Sequence, residues 1–250
     1  MRLAAPFVPS GVVDAYARII AQHFSARWPH PVIVESRPGT AGDIGSERVA
    51  RAPADGYTIV LGAITTHALT PFLFCNPSYN AATGFVPIIL VVEAEGIAAV
   101  HPSVPVHSMA ALVAWCREAN PPPVIATGGI GSASLLAAEM FRSKAGLQRL
   151  EMNHDRSMVP MVTDMVAGHA KLGFPTLQTA VPYLRSGALH ALAVIGCARS
   201  TALPDLRTVA EAGLPDFAVA NWFGLFAPAG TPPAIIRQIN AEVQRIRLLP

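Results

Sequence analysis

Charge and cysteine are both scarce in this sequence, and each shortage removes a class of function. Asp, Glu, Lys and Arg supply only 14% of the 250 residues, against 52% hydrophobic residues, a balance that suits a packed globular chain and excludes disorder. The net charge is +2 and the 18 Lys and Arg are scattered rather than clustered, so a nucleic-acid partner is not expected. The longest apolar runs, "VPIILVV" and "ALAVIGCA", fall far short of the roughly 20 residues that span a bilayer. Three cysteines, Cys75, Cys116 and Cys197, are an odd number with no C-x-x-C pair, which argues against a disulfide framework or a zinc knuckle. No two of the eight histidines stand as H-x-x-x-H or H-x-H, so no metal site is expected. "GTAGDIG" spaces its glycines G-x-x-G-x-x-G rather than G-x-G-x-x-G, and no nucleotide cofactor is expected. No signal-peptide pattern precedes "RLAAPF", so export is not encoded in the residues given.

What is present is strand, glycine turn and helix in repeated order, the pattern of an α/β protein with mostly parallel sheets. "RLAAPF" reads as a strand and Val12 to Trp28 as a helix with Val13, Ala17, Ile20 and Phe24 on one apolar stripe. "PVIVES" follows as a strand, then a helix at "SERVARA" with Ser46 as its N-cap, then a third strand in "ADGYTIVLGA". The long apolar stretch from Phe85 to Val100 reads as a crossover into a second lobe, and Pro215 to Gly230 as the return. Between them stand helices over 109–119, 133–145 and 160–167 and strands at "VIATGG" and "ALHALAVIG"; "TPPAIIRQINAEVQRIRLL" closes the chain as a helix.

Two glycine turns open onto helices, "PFVPSG" from Pro6 and "ATGGIGSAS" from Ala126. A helix N-terminus carries backbone N–H groups without helical partners and a partial positive charge, so each turn is suited to a carboxylate or phosphate. Ser132 and Ser134 offer hydroxyls in the second turn, and Thr65 and Thr66 end the third strand, where open α/β sheets place their ligands. Asp14 falls in the first turn of its helix, where a carboxylate favours the dipole whether or not it touches a ligand. An enzyme reading from Ser132, His154 and Asp155 has little support, because adjacent His and Asp do not face each other and no G-x-S-x-G elbow occurs.

The ordered blocks "PFVPSGVVDAYAR", "VIVESRPGTAGDIGSERVARAPADGYTIVLG", "THALTPFLF", "GGIGSASLLAAEMF", "VPYLRSGALHALAV" and "WFGLFAPAGTPPAIIRQINAEV" are similar to the Bug family, the solute-binding proteins of tripartite tricarboxylate transporters, over nearly the whole chain. The resemblance implies a type II periplasmic-binding-protein fold: two α/β lobes joined by two crossing strands, with a ligand cleft between them that closes on a small carboxylate. Lobe I is then 1–98 with 222–250, and lobe II 99–221. A family member normally starts with a signal peptide and continues past "NAEVQRI", so the C-terminal elements of lobe I are expected to be missing here.

The same resemblance implies that a di- or tricarboxylate or an aromatic carboxylate is held by Phe7, Pro9, Ser10, Gly11 and Asp14, with Thr65 and Thr66 beside them. Gly131, Ser132, Ala133 and Phe174 are their counterparts in lobe II. It implies a periplasmic monomer that passes its ligand to integral-membrane transporter subunits and performs no catalysis. A ligand-sensing subunit of a membrane signalling system, or an enzyme acting on an acyl or carboxylate substrate, are the alternatives. Three departures stand out: Ser10 where the family has glycine, "MNHDRS" from Met152 in place of "HVPYKG", and Pro175 where an Asp usually follows the Phe. The last makes an amino-acid ligand a weaker expectation.

Overall fold

A computed structural model describes residues 1–9, 11–74 and 77–246. The chain forms two compact units, Met1–Glu93 with Trp222–Pro250, and Ala94–Asn221. The first passage between units thus falls at 93/94, against the 98/99 read from sequence, and the second at 221/222.

Unit 1 is built on a five-stranded sheet of order β2-β1-β3-β10-β4. Its strands are β1 (Arg2–Ala5), β2 (Ile33–Ser36), β3 (Thr58–Ala63), β4 (Phe85–Ala94) and β10 (Asn221–Pro228). β1 pairs in parallel with β2 and β3, whereas β10 runs antiparallel to β3. Helix α1 (Val12–Arg27) packs through Val13, Ala17, Ile20, Ala21 and Phe24, so the apolar stripe of the sequence is its core face. Helix α2 (Asp43–Ala50) begins earlier than expected: its N-cap is Gly42, and Ser46 is fully buried inside it. The N-cap assignment to Ser46 is therefore corrected; the left-handed backbone of the preceding loop, rather than a hydroxyl, starts this helix. β3 runs into a π-helical turn over Thr65–Leu69 and then α3 (Thr70–Leu73). Helix α8 (Pro233–Ile246) returns Ile239 and Val243 to the core.

Unit 2 has a sheet of order β7-β6-β8-β5-β9, from β5 (Gly96–Val100), β6 (Val124–Thr127), β7 (Glu151–His154), β8 (Leu172–Gly173) and β9 (His190–Ile195). β6 is parallel to β7 and β8, and β5 is antiparallel to β8 and β9. Both sheets are therefore mixed. In each, the antiparallel member enters after the chain has come from the other unit, not through a βαβ crossover that would force parallel pairing. Helices α4 (Met109–Glu118), α5 (Ala133–Lys144), α6 (Met158–Val166) and α7 (Leu177–Arg185) complete the unit. Met161, Met165, Leu177, Ala180 and Ile97 form one of its buried clusters. Helix α7 escaped the sequence reading because Pro182 stands inside it. One missing N–H is tolerated where Leu177 and Ala180 bury the helix on this core.

Among the described residues no disulfide is formed; Cys116 is buried and Cys197 exposed, and Cys75 lies outside the described set. Burial pushes the Cys116 thiol up to about 12, leaving almost no thiolate, the reactive form, at neutral pH. Iodoacetamide on the native protein is expected to modify Cys197 and to leave Cys116 intact until denaturant is added. Peptide mapping that finds Cys116 labelled as fast as Cys197 would refute this.

Candidate functional site

β1 ends at Ala5, and the chain turns through Phe7 and Pro9 into α1. The Gly11 N–H donates to the Val8 carbonyl at 3.3 Å, closing the turn, and the Ala15 N–H reaches the Gly11 carbonyl at 3.0 Å, starting the helix. Gly11 is the N-cap at φ −79 and ψ 172 and gives no side-chain cap hydrogen bond. A glycine cap leaves first-turn N–H groups to other partners, which is what an anion site needs. Pro9 is exposed and Phe7 partly so, while Ser10 lies outside the described residues.

Asp14 is only 4% exposed. Its carboxylate accepts from Arg18 Nε at 2.8 Å and Nη2 at 3.1 Å, and from Ser36 Oγ at 2.8 Å. Hydrogen bonding to Asp14, and then its charge, raise the Arg18 pKa. Asp14 therefore ties the start of α1 to the end of β2, and its negative charge is offset by Arg18 at the place where an anion would otherwise be repelled.

Thr65 and Thr66 are both buried and lie in the π-helical turn, whose N-cap is Ile64 and not a threonine. Thr66 Oγ1 accepts from the Ala63 N–H at 3.0 Å and lies 2.8 Å from His67 Nδ1; Thr70 Oγ1 donates to the Thr65 carbonyl at 2.9 Å. Interrupted helices of this kind occur frequently at functional sites. The structure also adds residues the sequence reading passed over. Thr40, Ala41 and Gly42 all have positive φ (46, 54 and 92), and a Cβ placed on Gly42 would stand 2.6 Å from Thr66 Cγ2 and 3.3 Å from the Phe7 ring. Phe7, Gly42 and Thr66 are thus one packed group beside the mouth of α1. The signal for it was the "GTAGDIG" run, set aside above as a failed dinucleotide fingerprint.

In unit 2 the mouth of α5 is capped. Ser132 Oγ donates to the Gly129 carbonyl at 2.7 Å and accepts from the Leu135 N–H at 3.1 Å; Ser134 Oγ accepts from the Gly128 N–H at 2.8 Å and lies 2.9 Å from Ser132 Oγ. Both hydroxyls work inside the turn as a cap network. Gly131 and Ala133 are buried on either side of Ser132. Phe174 is a core residue at 2% exposure, its ring 5.7 Å from Phe141 and 6.1 Å from Phe217.

His154 Nδ1 is 2.9 Å from Thr127 Oγ1, so His154 and Ser132 have different partners and no nucleophile–base pair forms. Burial, and secondarily the Asp164 charge, raise the pKa of Asp155. Among the described residues there is no group of three His, Cys, Asp or Glu able to hold a metal ion, and no helix long and apolar enough to cross a membrane.

Residues 16–250 match the family described as "Tripartite tricarboxylate transporter family receptor". Protein BugT of Bordetella pertussis is 31% identical over 245 residues, covering 97% of this chain and 74% of that protein. Among solved structures, Rpa4515 of R. palustris with adipate is 32% identical with a TM-score of 0.86, covering 97% of this chain and 81% of that one. MatC from Rhodopseudomonas palustris with bound malate is 28% identical with a TM-score of 0.86, covering all of this chain and 84% of that one. The α/β fold is that of the periplasmic binding proteins, and with nearly the whole sequence matched, the chain belongs to the tripartite tricarboxylate transporter receptor family, whose members are substrate-binding proteins and not enzymes.

Proposed function

We propose that this chain is an extracytoplasmic solute-binding protein that captures a small organic carboxylate, a di- or tricarboxylate or an aromatic acid, and delivers it to the membrane subunits of a tripartite tricarboxylate transporter. The observation that carries the reading is the mouth of α1, where a glycine cap offers no side chain and the nearby Asp14 charge is offset by Arg18. The surrounding field favours an anion. Phe7, Pro9, Ser10 and Gly11 are the contacts assigned to unit 1, with Thr65 and Thr66 beside them and Asp14 holding the helix start. Gly131, Ser132 and Ala133 are their counterparts in unit 2. Because the Ser132 hydroxyl already serves its own turn, this segment contributes backbone N–H groups, and Phe174 supports it from the core. The bound acids of two relatives, adipate and malate, support the ligand class, and the family supports a periplasmic location; a monomer without cofactor is part of the same proposal.

A thermal-shift series with adipate, malate, citrate and benzoate tests this. An acid at 100 times its Kd stabilises the native state by about 2.7 kcal/mol, a rise of roughly 5 to 10 °C for a chain of this size. One saturable rise is expected. A cooperative transition that none of the four moves would reject the reading.

A further inference from the structure

The most unusual side chain in unit 1 is His67, half-buried in the middle of the π-helical turn. Its ring stacks on Phe226 with centroids 3.9 Å apart and 19° between planes, and stands 4.6 Å from the Phe85 ring. The space exists because residue 62 is glycine; a Cβ there would overlap the imidazole. Phe85 opens β4, the strand by which the chain leaves unit 1, and Phe226 lies in β10, the strand by which it returns.

The ring's polar side faces the threonine pair. His67 Nδ1 is 2.8 Å from Thr66 Oγ1, which is also 3.0 Å from the Ala63 nitrogen and 3.2 Å from the Ala63 oxygen. The hydroxyl has one proton to give. If Nδ1 carries the ring proton and donates to Oγ1, the Ala63 N–H also donates to it, and the hydroxyl donates to the Ala63 carbonyl. Every group in the set is then satisfied. Nε2 is buried with no hydrogen-bond partner among the described residues, which fits an unprotonated nitrogen better than an N–H. A ring buried among aromatics stays neutral, and burial lowers its pKa to about 3.

We propose that His67 is a positioning residue for ligand binding: clamped between the two linking strands, its Nδ1 holds the Thr66 hydroxyl and so sets the π-helical turn that carries Thr65 and Thr66. The inference rests on the function proposed above and extends it to a residue that touches no ligand.

Calorimetric binding of adipate and of malate to the wild type, His67→Phe, His67→Asn, Thr66→Val and the Phe/Val double variant tests it. His67→Phe keeps the stack and loses the hydrogen bond; His67→Asn keeps a polar group near Nδ1 and loses the stack. The expected result is about tenfold weaker binding for His67→Phe, a smaller loss for His67→Asn, and a double variant no weaker than the poorer single variant. His67→Phe binding like the wild type, or losses that multiply in the double variant, would overturn it.

If the wild type binds neither acid, the dicarboxylate reading falls and the imidazole ¹⁵N spectrum decides the positioning claim. A neutral His67 between about pH 8 and 5, with an Nδ1 signal displaced by Thr66→Val, upholds it. A ring titrating as an ordinary histidine, or an Nδ1 signal indifferent to Thr66→Val, overturns it.

Discussion

Acidification from pH 7 to pH 4 is expected to remove about 3 kcal/mol of stability through His67 alone. Burial holds its pKa near 3 in the folded protein, against an ordinary value of 6.5. Below pH 6.5 the unfolded chain takes up a proton that the folded chain refuses. Stability from this residue is therefore complete above pH 6.5 and declines by roughly 1.4 kcal/mol per pH unit until the folded ring itself protonates near 3. Asp155, whose pKa is raised by burial and by Asp164, contributes in the opposite sense; Glu211, lowered chiefly by its hydrogen bond with Arg199, contributes in the same one. The comparison must therefore be with His67→Phe, which keeps the aromatic stack and cannot titrate. Urea midpoints for both proteins at pH 7 and pH 4 should show the variant losing about 3 kcal/mol less on acidification. Parallel pH profiles would show that the ring is hydrated or paired in solution.

Gly42→Ala is expected to cost about 2 to 5 kcal/mol, from two separable causes. The residue sits at φ +92, where an L side chain costs roughly 1 to 2 kcal/mol, and its new methyl would meet Thr66 Cγ2 at 2.6 Å and the Phe7 ring at 3.3 Å. Overpacking a filled site costs about 1 to 3 kcal/mol more. Gly187→Ala is the control: φ is +75, yet nothing lies within 4 Å of an added Cβ, so it should lose only the backbone contribution, about 1 to 2 kcal/mol. Denaturant melts that place the two variants together would mean the Phe7, Gly42 and Thr66 group yields freely. Because Phe7 and Thr66 are both assigned to the ligand, Gly42→Ala should also weaken carboxylate binding where Gly187→Ala does not.

These two effects arise where local sequence rules say least, and the division between legible and hidden features follows the range of the interactions. The strip of Val13, Ala17, Ile20 and Phe24 is buried as its spacing implies, because one helix carries its own 3.6-residue period. The helices over 109–119 and 133–145 are α4 and α5 to within a residue at their ends, since Ser108 and Ser132 cap them by contacts three residues long. β7, with the polar sequence "EMNH", and β8, two residues long, carry no such period. They are strands only because β6 lies beside both.

From its sequence alone this protein's α/β class, its two helix mouths and its family were settled, because turns, caps and apolar periods act within a few residues and ordered blocks record them. Which groups those mouths actually use was decided by tertiary structure. Asp14 is occupied by Ser36 from 22 residues away as well as by Arg18. The Ser132 and Ser134 hydroxyls turn inward as a cap network. His67 lies between Phe85 and Phe226, rings far apart in the chain that meet only when β4 and β10 join one sheet. Burial and hydrogen-bond satisfaction depend on what the fold places alongside each atom, and no spacing along the chain encodes that.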